Sequence, residues 1–172
     1  MDTESLLIIT GTMGTGKTTI LAEASDMLTI RDMTHAAVDL DALGLAPLPS
    51  TTANADSRYR NLESVCRNYE AFGSRLLLAR AIENRAELEF CRDIVSARNV
   101  VVCRLAAGLE TMEQRIKTRE SGLWREEYVA RVATLSAVLD KARLEDFVVI
   151  NENRPLTEVA QEMLAKARWT SS

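Results

Sequence analysis

Residues 11–19 read Gly-Thr-Met-Gly-Thr-Gly-Lys-Thr-Thr and fill the phosphate-loop pattern G-x-x-x-x-G-K-[ST] at every fixed position. The chemistry open to such a run is the binding of a polyphosphate. Glycine adopts backbone angles closed to other residues and lets the chain come close to an anion. The loop N–H groups and the N-terminus of the following helix then face that anion. On this reading Gly11, Thr12, Met13, Gly14, Thr15, Gly16, Lys17, Thr18 and Thr19 cradle a nucleoside triphosphate. Lys17 reaches the β- and γ-phosphates as a catalytic charge, and the Thr18 hydroxyl ligates Mg²⁺. The alternative is a chance glycine turn, and the flanks speak against it. Leu6 to Thr10 is the apolar run of a buried strand, and Ile20, Leu21, Ala24, Met27 and Leu28 recur at helical spacing.

Phosphoryl transfer also needs one carboxylate for the metal and another for the attacking hydroxyl. Asp39-Leu40-Asp41 follows the second apolar run, and alternation in an extended segment puts both acids on one side. Asp39 is assigned to the metal and Asp41 to the acceptor as its base, with a plain turn and helix cap at Asp41 as the alternative. The third strand ends in Arg75-Leu76-Leu77-Leu78-Ala79-Arg80 without a carboxylate, so metal support rests on Thr18 and the Asp pair, with Glu83 the next acid downstream.

Arg115 and Arg119 lie i,i+4 on a helix starting near Leu109, and Glu120-Ser121-Gly122 interrupts it before Arg125. Two helices hinged on a glycine and carrying arginines suit a lid over the triphosphate, because the guanidinium fork binds phosphate oxygens and keeps its charge. A solvated face paired with nearby glutamates is the other reading. Arg58 and Arg60 flank Tyr59 and can hold an anionic group of an acceptor, or simply start an exposed helix. Asn153 and Arg154 follow the fifth strand, where they can contact the nucleotide base or form an ordinary turn before Pro155.

Five short apolar segments must position these groups: Leu6–Thr10, Ala36–Asp39, Arg75–Ala79, Asn99–Leu105 and Phe147–Ile150. They alternate with helical stripes, the clearest being Leu156, Val159, Ala160, Met163, Leu164 and Ala167. Such alternation gives an α/β fold with a parallel sheet covered on both faces, and ligands bind at the carboxyl ends of its strands. Residues 43–57, with two prolines and neither periodicity, read as one long loop.

At 172 residues, 47% apolar and 27% charged, the chain suits one globular domain over 1–172. A net charge of −4 argues against a nucleic-acid partner. Cys66, Cys91 and Cys103 lack metal-ligand spacing and sit among apolar neighbours, as reduced residues of a cytoplasmic protein do. With His35 the one histidine, no histidine zinc site or Ser-His-Asp triad is expected. The start Met-Asp-Thr-Glu-Ser is unlike a signal peptide, and no apolar stretch reaches membrane-spanning length.

With these pieces in place the chain resembles the small P-loop kinases of the adenylate-kinase-like group: shikimate, gluconate and adenylyl-sulfate kinases. The resemblance implies a three-layer αβα sandwich around a five-stranded parallel sheet, the P-loop nucleoside triphosphate hydrolase fold. It implies ATP and Mg²⁺ as cofactors, an acceptor segment at about 40–60 and a lid at about 115–127. The D-x-D motif of the group maps to Asp39 and Asp41, the F-R-x-x-E motif of shikimate kinase is similar to Tyr59-Arg60-Asn61-Leu62-Glu63, and the adenine loop is similar to Asn151–Pro155. Its glycine triplet after strand three, and the aspartate of adenylate kinase there, have no counterpart. The expected activity is transfer of the γ-phosphoryl group to a small hydroxylated or anionic acceptor. The alternative is a nucleotide-binding module, or slow ATPase, that controls a partner.

Overall fold

A computed structural model describes residues 5–44, 51–69, 75–119 and 123–170. Five strands, β1 (Ser5–Thr10), β2 (Ala36–Asp39), β3 (Arg75–Ala79), β4 (Asn99–Ala106) and β5 (Phe147–Ile150), alternate with α1 (Lys17–Ile30), α2 (Thr51–Tyr69), α3 (Arg85–Val95), α4 (Leu109–Arg119), α5 (Leu123–Ala142) and α6 (Leu156–Lys166). The strands pair in parallel in the order β2-β3-β1-β4-β5, with Leu7 of β1 between Leu77 of β3 and Val101 of β4. This is the expected α/β architecture, a parallel sheet between helical layers, with β1 at its centre. All five strands lie where the apolar runs place them, with β1 beginning one residue earlier and β4 ending one residue later.

Strand alternation divides the core in two. Leu7, Ile9, Leu77, Ala79, Cys103, Leu105 and Val149 face α1 and α6 and pack with Ile20, Leu28, Met163 and Leu164. Leu6, Ile8, Val38, Leu76, Leu78 and Val102 face the other way and pack with Leu62, Leu88, Cys91 and Val95 of α2 and α3. Burial on both faces is why these strands read as continuous apolar runs. Two smaller clusters seat α4 and α5, and Met13 of the glycine loop packs against both of them.

The stretch 43–57 is not one loop. Residues 42–44 form a short 3₁₀ turn, 45–50 lie outside the described residues, and α2 begins at Thr51. Thr51 to Ser57 carry no apolar stripe, so the sequence pattern there is silent. Their helical state follows from propagation: Leu62 and Tyr59 anchor α2 on the core, and extending a formed helix backward costs little. The interruption at Glu120-Ser121-Gly122 falls outside the described residues. Asn84 caps α3, its side chain accepting from the Glu87 N–H at 2.9 Å, an arrangement worth about 1 kcal/mol.

At the sheet edge the carbonyls of β5 meet side chains instead of another strand. Lys166 Nζ donates to Val148 O at 3.2 Å and Arg154 Nη1 to Ile150 O at 3.4 Å. Glu162 joins the two cations, at 2.8 Å from Lys166 and 2.6 Å from Arg154. The hydrogen bond from Lys166, together with that from Arg154, holds the Glu162 carboxyl below the usual range.

Leu77, with no exposed surface, and Val148, 40% exposed, provide a test of this packing. Leu77→Ala should cost about 2–5 kcal/mol, a cavity-forming core deletion, and Val148→Ala about 0.5 kcal/mol or less, as at an ordinary surface site. Urea denaturation of both variants measures the difference.

Candidate functional site

The carboxyl ends of the strands carry the site. β1 runs into the glycine loop, and α1 starts at Lys17 with Gly16 as its N-cap. Gly14 and Gly16 have φ of 78° and 91°, in the left-handed region. They are also tightly enclosed: a Cβ on Gly14 would lie 2.6 Å from Met112 O, and one on Gly16 2.5 Å from Asn151 Nδ2. No side chain caps α1 and its first turn holds no acid, so the helix N-terminus keeps its N–H groups and partial positive charge for an external anion.

In front of the loop lies a cavity of about 450 Å³. Its floor is Met13, Gly14, Gly16, Lys17, Thr18 and Thr19. Asp39 and Asp41 stand at the end of β2, Arg80 and Glu83 beyond β3, and Arg58 on α2. Arg119 of α4 with Tyr128, Arg131 and Leu135 of α5 form the far wall. Cationic side chains outnumber acidic ones by five to three, so the cavity favours an anion.

Three contacts define the chemistry. Thr18 Oγ1 donates to Asp39 Oδ2 at 2.6 Å, bringing two hard oxygen donors together at the start of α1. Asp39 Oδ1 accepts the Asp41 N–H at 3.0 Å, so the same carboxylate also forms the turn that aims Asp41. Asp41 Oδ1 receives Arg80 Nη1 at 2.5 Å, with Arg58 Nη1 further off at 3.8 Å. Arg58 Nε is buried and has no hydrogen-bond partner.

Arg80 is itself held from behind. Its Nε donates to Glu87 Oε1 at 3.1 Å, and Tyr59 Oη donates to the same oxygen at 2.6 Å. Burial disfavours the Arg80 charge, but the carboxylates of Asp41 and Glu87 outweigh it and its pKa is raised. Burial and the hydrogen bond to Glu87 push the Tyr59 hydroxyl up, so it stays a donor. The Tyr59 ring meets Phe90 edge-on at 4.9 Å.

Lys17 Nζ donates to Thr12 O at 3.1 Å. Burial lowers its pKa from 10.5 to about 8, against the pull of Asp41 and Asp39. The ammonium is thus desolvated and only partly compensated.

Of the expected site residues, the structure brings Met13, Gly14, Gly16, Lys17, Thr18, Thr19, Asp39, Asp41, Arg58 and Arg119 to one cavity. Gly11, Thr12 and Thr15 are buried behind it, Thr15 Oγ1 donating to Thr12 O at 2.8 Å. Arg115 stands outside the cavity wall, with its guanidinium on Gly14 O at 3.1 Å and Asn151 O at 2.9 Å. Arg60 is exposed on α2 and does not line the cavity. Asn153 is exposed, and Arg154 pairs with Glu162 at the β5 edge. The sequence reading took Asn151 only as part of the loop Asn151–Pro155, and it passed over Arg80, Tyr128 and Arg131. Arg80 and Asn151 stand at strand carboxyl ends, where the same rule that picked out Asp39 points to them. Nothing in the sequence marks Tyr128 and Arg131 on α5.

The structure is similar to the APS kinase of Mycobacterium tuberculosis in complex with AMPPNP and APS: TM-score 0.66, 19% identity, 99% of this chain and 100% of that one. It is also similar to the shikimate kinase of Acinetobacter baumannii in complex with shikimate, at TM-score 0.62 and 16% identity over 98% and 94% of the two chains. A gluconokinase from Sinorhizobium meliloti matches at TM-score 0.63 and 15% identity, again over 98% and 94%. The chain has the fold of the small P-loop kinases. No family model matches the sequence, and no curated protein matches it. Among the described residues no helix is long and apolar enough to cross a membrane.

The half-buried Lys17 charge yields a signed prediction. Its folded pKa of about 8 lies below the free value of 10.5, so the unfolded chain binds that proton more tightly. The charge therefore destabilises the fold below about pH 8, and the penalty fades as pH rises to 10.5. Lys17→Met should melt above wild type at pH 7 and lose that advantage across this window. Calorimetric melting of both proteins from pH 7 to 10.5 checks it.

Proposed function

We propose that this protein is an ATP- and Mg²⁺-dependent kinase that moves the γ-phosphoryl group to a small hydroxylated or anionic acceptor. The observation that carries the reading is the run Lys17, Thr18, Asp39 and Asp41, four groups on the floor and wall of one cationic cavity. The Thr18 hydroxyl and Asp39 carboxylate are oxygen donors suited to Mg²⁺. Held by these two groups, the ion would neutralise phosphate charge. Lys17 and Arg119 add positive charge where the transferring group becomes more negative. Asp41 takes the proton of the acceptor hydroxyl as its oxygen bonds to the γ-phosphorus, the bond to the bridging oxygen breaks, and ADP leaves. Arg58, with an unmet donor, is suited to an oxyanion of the acceptor. Asn153 and Arg154, beyond β5, are assigned to the base side of the nucleotide. The lid role falls to α4 and α5, whose Arg119, Tyr128 and Arg131 close the far wall. The unpaired Cys91 and Cys103, whose thiols burial pushes up to about 12, suit a reducing cytoplasm.

A second reading draws on Arg80. Its 2.5 Å bond neutralises Asp41 in this state, as in a nucleotide-binding module that hydrolyses slowly and signals to a partner.

ADP release across a panel of small hydroxylated acids separates the two. A kinase shows acceptor-stimulated release. Asp41→Asn should then lower that release by about a hundredfold or more, the scale of a lost general base, with ATP affinity nearly unchanged. Asp39→Asn should instead slow every turnover and raise the Mg²⁺ concentration required. Slow release, indifferent to every acceptor and to Asp41→Asn, would favour the module and sink the kinase.

A further inference from the structure

Two side chains outside the cavity hold the loop that forms it. Arg115 Nη1 donates to Gly14 O at 3.1 Å, and Asn151 Nδ2 donates to Thr15 O at 2.8 Å. In a planar trans peptide the N–H points opposite to the preceding carbonyl. A donor fastened on Gly14 O therefore fixes the direction of the Thr15 N–H, and one on Thr15 O fixes the Gly16 N–H. Gly14 and Gly16 line the cavity, whereas Arg115 and Asn151 do not. The two donors thus lie behind the loop, and the two N–H groups face away from them.

The anchors are themselves fixed. Asn151 is 2% exposed, and its own N–H is bonded to Ala106 O at 2.8 Å. The second Arg115 nitrogen donates to Asn151 O at 2.9 Å, so the two residues hold each other. Glu152 grips the start of α4 through Gly108 N at 3.2 Å and through the Thr111 hydroxyl. One turn after β5 thereby clamps both the loop and the helix that carries Arg115. The pull of a guanidinium on Gly14 O also polarises the peptide and strengthens the opposite N–H as a donor.

We propose that Arg115 and Asn151 are positioning residues for phosphate. They aim the Thr15 and Gly16 N–H groups into the cavity, and neither side chain touches the ligand. This rests on the reading of the loop as a triphosphate site. It makes Arg115 a brace acting through backbone, distinct from the lid arginine expected at that position.

The test uses Mg²⁺ with inorganic tripolyphosphate, which has no base or ribose, read by calorimetry and by amide NMR of the intact protein. In wild type the Thr15 and Gly16 amides should both shift on binding. Arg115→Ala should weaken binding on the order of tenfold, as for a lost charged hydrogen bond, and silence the Thr15 response alone. Asn151→Ala should weaken it and silence Gly16 alone. Asn151→Asp, of the same shape without the donor, gives that readout if the alanine variant does not fold. Wild-type affinity in the variants would overturn the proposal. So would weakened binding with both amides still responding, which marks direct contact, or both amides lost together, which marks collapse of the loop. Absence of tripolyphosphate binding by wild type would overturn the triphosphate reading itself.

Discussion

The half-buried ammonium of Lys17, on the floor of the cavity, is the constraint on which the site depends. A charge removed from water is tolerated when neighbours replace part of the lost hydration. Here Thr12 O accepts from it, and Asp39 and Asp41 supply opposite charge from a different strand. The compensation is incomplete, as the lowered pKa of about 8 records. A bound polyphosphate would complete it. Any ligand that binds the folded chain and not the unfolded one stabilises it, and the more so the tighter it binds.

The sheet order makes that compensation possible. β3 lies between β1 and β2, yet α1 reaches the end of β2, where Thr18 and Asp39 meet at 2.6 Å. From Asp41 the polar contacts continue through Arg80 and Glu87 to Tyr59, tying the ends of β2 and β3 to α2 and α3. Arg80 Nη1, Arg80 Nε and Tyr59 Oη all donate to carboxylates, which suits a partly buried network. On the opposite side, Asn151 and Arg115 connect β5 and α4 to the same loop. The glycine loop therefore sits between two polar braces, and its neighbours at Met112 and Asn151 leave no room for side chains at Gly14 and Gly16.

The strands were legible because burial on both faces leaves runs such as Val100-Val101-Val102 with no polar interruption. The phosphate loop was legible because its glycine spacing is imposed by backbone geometry. Asp39 and Asp41 followed from the rule about strand ends. Arg80 stands at such an end too, but the sequence reading sought a carboxylate there and passed over the cation that binds one. The first turns of α2 were not legible, since Thr51 to Ser57 carry no apolar stripe and owe their helix to packing further along. The bonds from Arg115 and Asn151 join residues 101 and 136 positions apart in the chain, which no local pattern encodes.

The guarded edge of β5 bears on how this protein behaves among other chains. An outermost strand with free carbonyls invites a foreign segment to add itself, the first step toward fibrous aggregation. Here an incoming strand would have to expel Lys166 and Arg154 from Val148 and Ile150 and part both cations from Glu162. Salt screens exposed ion pairs, so concentrated salt or neutralisation of Glu162 loosens the guard while leaving the buried layers intact. Resistance to strand addition at this edge thus rests on three side chains, none of which lines the cavity.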